Sequence, residues 1–130
     1  MADCYFCDYR TNGEKILFEN KYAVCIMGNE PVLVDSCVII PRAHKENPFD
    51  LTPEEWAATK DLLDKIKVFL DEKCSPDGYN LGWNIGCIGG QEIFHSHLHV
   101  IPRYHDEPYA GFGVRHWLKM DENKRPQTSF

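Results

Sequence analysis

The chain has 130 residues, 43% of them apolar and 26% charged, with a formal charge of −6 at pH 7. That length fits one domain built around a single hydrophobic core. No apolar run approaches the roughly 20 residues needed to cross a bilayer, and the acidic balance argues against nucleic acid as the main partner, since such binding draws on clustered Lys and Arg.

The first residues, Met1-Ala2-Asp3-Cys4, offer neither a basic start nor a long apolar segment. No secretory signal is expected, and the expected compartment is the cytoplasm. There the six cysteines, Cys4, Cys7, Cys25, Cys37, Cys74 and Cys87, are expected as thiols rather than as three disulfides. Only Cys4 and Cys7 have a spacing that suggests a site; Cys25 and Cys37 lie in apolar runs and read as small core residues.

Arg10-Thr11-Asn12-Gly13 predicts a turn, and two short strands follow over 16–19 and 22–27, joined near Asn20-Lys21. Gly28-Asn29-Glu30-Pro31 breaks the pattern. Val38-Ile39-Ile40 is wholly apolar and β-branched, so a central strand is expected to end at Pro41. The period changes at Leu51. Thr52-Pro53-Glu54-Glu55 has the form of a capping box, and Trp56, Thr59, Leu62, Leu63, Ile66, Phe69 and Leu70 trace one helical face to about Lys73. Ser75-Pro76-Asp77-Gly78 closes the helix. A fourth strand is expected over 79–86, then a tight loop at Ile88-Gly89-Gly90-Gln91, then a fifth strand carrying the histidines. Short links between strands favour an α+β domain with a mainly antiparallel five-stranded sheet, one long helix and short helical segments. The domain is expected over 1–120, with a mobile polar tail over 121–130.

His95-Ser96-His97-Leu98-His99 alternates imidazoles with other residues. In an extended strand all three imidazoles project from one face. The row has a bland reading, a solvated or hydrogen-bonded strand face, and two chemical ones: a metal site, with a third histidine able to complete a catalytic three-histidine centre, or a nucleophilic site. Cys4-Tyr5-Phe6-Cys7 lacks the preceding strand of a thioredoxin-like motif, and zinc is the better reading. Two thiolates leave a structural site two ligands short, and His44 and one of the row are candidates that spacing cannot choose between.

The run from Gly89 to Arg103, GGQEIFHSHLHVIPR, resembles the signature of the histidine triad family of nucleotide hydrolases and transferases. Cys4-Tyr5-Phe6-Cys7, the stretch around Val38 to His44, the helix start at Leu51 to Glu55, the segment Gly78 to Asn84, and Gly113-Val114-Arg115-His116 are similar to further family segments, in the same order. The resemblance implies that His97 attacks the α-phosphorus of a nucleotide to give a nucleotidyl-histidine intermediate, that the His95 carbonyl holds the His97 tautomer, and that His99 contacts phosphate. It places Gln91 near the scissile oxygen, Asn84 near ribose and phosphate, and the backbone of Gly89 and Gly90 against phosphate. It assigns Cys4, Cys7, His44 and His95 to a structural zinc. Tyr5, Phe6, Tyr9, Ile26 and Val38 match positions lining a base pocket, with a purine, adenine by preference, as the expected ligand; each also reads as a simple core residue. A homodimer is implied. Four positions depart from the family: Ser36 stands where a histidine is usual, Gly28 where many members carry an aspartate for the ribose, Glu92 where a small hydroxyl residue is common, and Ser96 where an apolar residue is usual.

Overall fold

A computed structural model of the chain describes residues 4–126. Residues 1–3, which carry the signal-peptide argument, and 127–130 of the expected tail lie outside the described residues. Five strands, β1 (Lys15–Glu19), β2 (Ala23–Met27), β3 (Cys37–Pro41), β4 (Gly78–Gly82) and β5 (Leu98–Arg103), form one sheet in the order β1-β2-β3-β5-β4. Every neighbouring pair is antiparallel. The helix α1 (Pro53–Cys74) connects β3 to β4, and β5 then returns between them.

The helix begins as its residues dictate. Thr52 accepts from the Glu55 backbone N–H while the Glu55 carboxylate accepts from the Thr52 N–H, which satisfies two amides that the helix leaves without partners. It ends at Ser75, which takes the left-handed conformation at φ 47° before Pro76 forbids continuation. Its buried stripe is Glu55, Ala58, Thr59, Leu62, Ile66 and Leu70. This stripe packs on Ala23, Cys25, Cys37, Ile39, Leu98 and Val100, the residues of β2, β3 and β5 that point to one face of the sheet.

The other face carries a second apolar cluster. Val24, Ile26 and Ile40 meet Cys4, Phe6 and Tyr9 of the N-terminal segment there, with Ile16, Val38 and Ile93 at the margin. One register row crosses the sheet on this side: Ile16 opposite Ile26, Ile26 opposite Val38, Val38 opposite His99, and His99 opposite Gly82. The sheet thus brings the third histidine of the row into line with apolar side chains.

Three expectations are corrected. The fourth strand stops at Gly82 instead of reaching residue 86, because the chain leaves the sheet to form a turn over 86–90 that Gln91 holds closed. The fifth strand begins only at Leu98; His95 lies in a bend and His97 just precedes the strand, because their backbone serves other partners. Trp56 is 42% exposed and packs edge-on against Trp83 rather than joining the buried stripe. The expected short helical segments are a 3₁₀ turn at Pro48–Asp50, the helix α2 (Arg115–Leu118) and a 3₁₀ turn at Asp121–Asn123.

Leu62 is fully buried between the helix and the sheet, so Leu62→Ala is expected to lower unfolding free energy by about 2–5 kcal/mol. Thr52→Ala, which removes one half of the capping box, is expected to cost about 1 kcal/mol. Urea denaturation of the two variants against the wild type measures both.

Candidate metal centre and active site

Cys4, Cys7, His44 and His95 are separated by up to 91 positions in sequence, yet one ligand atom from each lies within 4.8 Å of the others. The N-terminal segment turns so that the Cys7 backbone N–H donates to Cys4 Sγ at 3.3 Å. Cys4 Sγ lies 3.4 Å from His95 Nδ1, and Cys7 Sγ lies 3.3 Å from His44 Nδ1 and 3.6 Å from His95 Nδ1. A tetrahedral zinc with sulfur at about 2.3 Å and nitrogen at about 2.1 Å requires neighbouring ligands about 3.6 Å apart. The four donors therefore already have the spacing of a zinc shell. Burial, and then Cys4 beside it, pushes the Cys7 thiol up from its ordinary range; two adjacent sulfurs become thiolates together only with a cation between them. Four protein ligands would fill the shell and leave no position for a reactive water, so a zinc held there would be structural.

The two histidines at the centre have opposite tautomers, each set by a main-chain carbonyl. His95 Nε2 lies 2.8 Å from the Pro41 carbonyl oxygen, to which its N–H donates, so Nδ1 presents its lone pair to the sulfurs. His97 Nδ1 lies 2.8 Å from the His95 carbonyl oxygen and donates there, which leaves the lone pair on Nε2. Among the described residues that Nε2 makes no hydrogen bond. His97 and His99 stand outside the ligand cluster, so the three histidines do not form a catalytic metal centre together. Their rings meet edge to face at 4.8 Å. Burial, and then His97 beside it, holds His99 below the ordinary histidine value, and His99 Nε2 is buried without a partner among the described residues.

The remaining site residues sort by place. Phe6 packs against the His97 ring at 5.0 Å and, edge-on, against His95 at 6.1 Å. Tyr9 is buried, and its hydroxyl accepts from Arg42 at 2.8 Å. Ile26 and Val38 belong to the same apolar wall. Tyr5 lies at its exposed edge, packing on Phe6 and donating to Glu14. Gly89 and Gly90 are exposed in the turn over 86–90, where each has to be glycine. A Cβ on Gly89 would collide with the Ile85 carbonyl oxygen, and Gly90 takes φ 95° beside the Asn84 side chain. Gln91 is buried within this loop: its carbonyl accepts from Gly86 N–H at 2.9 Å, and its amide donates to the carbonyls of Glu46 and Ile93 at 2.9 and 3.1 Å.

Several contributors carried no sequence signal of their own. Lys45 and Glu46 hold the site together through main-chain carbonyls, since Ser96 N–H donates to Lys45 O at 2.6 Å and Gln91 to Glu46 O. Lys45 in turn pairs with the buried Glu55 at 2.9 Å. Burial pushes the Glu55 carboxyl up, but the bond to Lys45, with that from Thr52, outweighs it and holds the group below the usual range. Arg42 joins Tyr9 to Glu19 at 2.7 Å; its place directly after Pro41 at the strand end was the one available hint. Two residues beyond His99, Ile101 opens onto a cavity of about 820 Å³ lined also by Leu33, Tyr104, Tyr109, Phe112 and Trp117.

The HIT domain family model matches residues 10–106. An adenylylsulfatase of Arabidopsis thaliana is 33% identical over 125 residues, covering 92% of this chain and 63% of that protein. The solved structure of a HIT family protein from Bacillus anthracis has TM-score 0.76 at 30% identity, covering 94% of this chain and 89% of the other. A zinc-bound histidine triad family protein from Mycobacterium smegmatis has TM-score 0.72 at 27% identity, covering 82% and 78%.

Metal analysis of the purified protein is expected to find one zinc per chain, and Cys4→Ala and Cys7→Ala are each expected to lose it; either variant retaining full zinc would refute the ligand set. A second outcome concerns pH in the zinc-free protein. Burial, opposed by the Pro41 bond, lowers His95 from its ordinary 6.5, and burial likewise lowers His99. The unfolded chain therefore takes up protons more readily than the folded one, so this stability is fully present above about pH 6.5 and lost as pH falls below it. Urea midpoints are expected to stay level between about pH 8 and 7 and to fall between about pH 6.5 and 5.

Proposed function

The chain belongs to the HIT family, and on that premise we propose that it is a nucleotidyl hydrolase or transferase. It acts at the α-phosphate of dinucleoside polyphosphates, nucleoside phosphoramidates or related nucleotides, through a covalent nucleotidyl-histidine intermediate. The observation that carries the reading is the tautomer of His97. Its Nδ1–H is committed to the His95 carbonyl at 2.8 Å, so the nucleophilic lone pair resides on Nε2. A neutral imidazole is a competent nucleophile near pH 7.

In the first step Nε2 attacks the α-phosphorus; a phosphorus–nitrogen bond forms, the bond to the leaving group breaks, and that group departs with its electron pair and takes up a proton. Water or another acceptor then attacks the same phosphorus and gives up its proton, which balances the one taken by the leaving group; the phosphorus–nitrogen bond breaks, its electron pair returns to Nε2, and His97 is restored. His99, whose burial holds it below the ordinary histidine value, is the phosphate contact, with Asn84 as a further donor; the exposed Gly89 and Gly90 let phosphate approach the turn closely, while their own N–H groups donate within it to the Gly86 and Cys87 carbonyls at 3.1 and 3.0 Å. Gln91 acts here through the loop that its side chain closes. Tyr5, Phe6, Tyr9, Ile26 and Val38 wall the base pocket, for which adenine is the proposed occupant. The zinc held by Cys4, Cys7, His44 and His95 supplies structural anchorage and no chemistry on the substrate. A homodimer is proposed as the working form. The cytoplasm is the proposed compartment, in keeping with free cysteines that include two metal-ligating thiols. No helix among the described residues is long and apolar enough to cross a membrane.

A second reading, nucleotide binding with weak or no catalysis, has one observation behind it. His99 Nε2 is buried without a partner among the described residues, in a chain with Ser36 where the family usually has a histidine. Trapping distinguishes the two. His97→Ala is expected to lower turnover of a panel of such nucleotides by at least about 10³-fold, and mass spectrometry of the intact wild type is expected to show a phosphorus–histidine adduct that the variant lacks. Unchanged turnover in the variant would refute the nucleophile, and binding without any adduct would favour the second reading.

A further inference from the structure

We infer that Phe6 is a positioning residue through which the metal centre fixes the ring of the nucleophile, so that the zinc site and the reactive imidazole form one mechanical unit. This inference rests on the reading of His97 as nucleophile. A single hydrogen bond from Nδ1 to the His95 carbonyl sets the tautomer but leaves the ring able to swing about that bond. Phe6 removes the swing: its ring lies 5.0 Å from that of His97 at 55°, and both residues are buried. Phe6 cannot yield, because it sits between Cys4 and Cys7, whose sulfurs converge on the Nδ1 atoms of His44 and His95. His95 completes the unit, since its side chain is a metal ligand while its carbonyl holds His97. Displacing a reacting group by about 1 Å can cost on the order of 10²-fold in rate, so the metal can govern the chemistry without touching the substrate.

The test uses the full chain. In zinc-loaded protein, Phe6→Leu is expected to slow single-turnover adduct formation at saturating nucleotide by about tenfold or more, a loss separate from the weaker binding of a nucleoside monophosphate that follows from the place of Phe6 in the base pocket, while zinc content stays at the wild-type level. Phe6→Tyr, which keeps the ring, is expected to restore the rate. Adduct formation at the wild-type rate in Phe6→Leu, or a loss confined to affinity, would overturn the assignment and leave Phe6 a base contact only. A second arm needs no turnover. Removing zinc from the wild type is expected to move the His97 imidazole ¹⁵N signals while the amides of β3 and β5 stay in place; signals that do not move would break the link between metal and nucleophile. Should the wild type form no adduct with any nucleotide, the functional reading falls, and the imidazole spectra still decide the coupling.

Discussion

Every part of the site is referred to the position of one residue, His95. Its Nε2 is bonded to the Pro41 carbonyl at the end of the central strand, its Nδ1 faces two sulfurs, and its own carbonyl receives His97. An imidazole that is fully buried has to satisfy both nitrogens or lose the free energy of an unmade hydrogen bond. One nitrogen reaches the sheet and the other reaches the N-terminal segment, so the residue joins two pieces of chain that share no strand pairing. A strictly extended backbone through 95–97 would send the carbonyl to a neighbouring strand. The bend there is what allows it to serve His97 instead.

The charged groups around the site lock the scaffold. Lys45 is paired with Glu55, which also caps α1, so the helix N-terminus is tied to the segment bearing His44. Arg42 and Arg10 both reach Glu19, and Arg42 also holds the Tyr9 hydroxyl. These cations are occupied. The affinity for a phosphate that the proposed function requires then falls to neutral side-chain donors and imidazoles, which suits a protein of net charge −6.

Much of this was legible in the sequence because local rules governed it. The capping box at Thr52 and Glu55, the apolar run at Val38 to Ile40 and the two-residue alternation around His99 each reflect physics confined to one element. The ligand set Cys4, Cys7, His44 and His95 was not derivable from spacing, since its members meet only after the sheet brings residue 95 beside residue 41; resemblance supplied it. Illegible were the features that depend on side chains bonding to distant backbone. The early end of β4 follows from Gln91 closing a turn, and the late start of β5 from a carbonyl that serves an imidazole. Trp56 left its helical stripe because Trp83, 27 positions away, offered a ring to pack on. Periodicity counts apolar residues and does not see which neighbour they will find.

The alternation of the strands has a consequence beyond packing. On β2 and β3 the odd-numbered residues Ala23, Cys25, Cys37 and Ile39 meet the helix, while the even-numbered Val24, Ile26, Val38 and Ile40 meet the N-terminal segment and the site. Neighbouring residues of the same strand therefore serve two different cores. A substitution at an odd position bears on how the helix is seated, and one at an even position on how the segment that carries Cys4 and Cys7 is seated. One strand can thus loosen the metal-binding segment while the helix-bearing face keeps its packing.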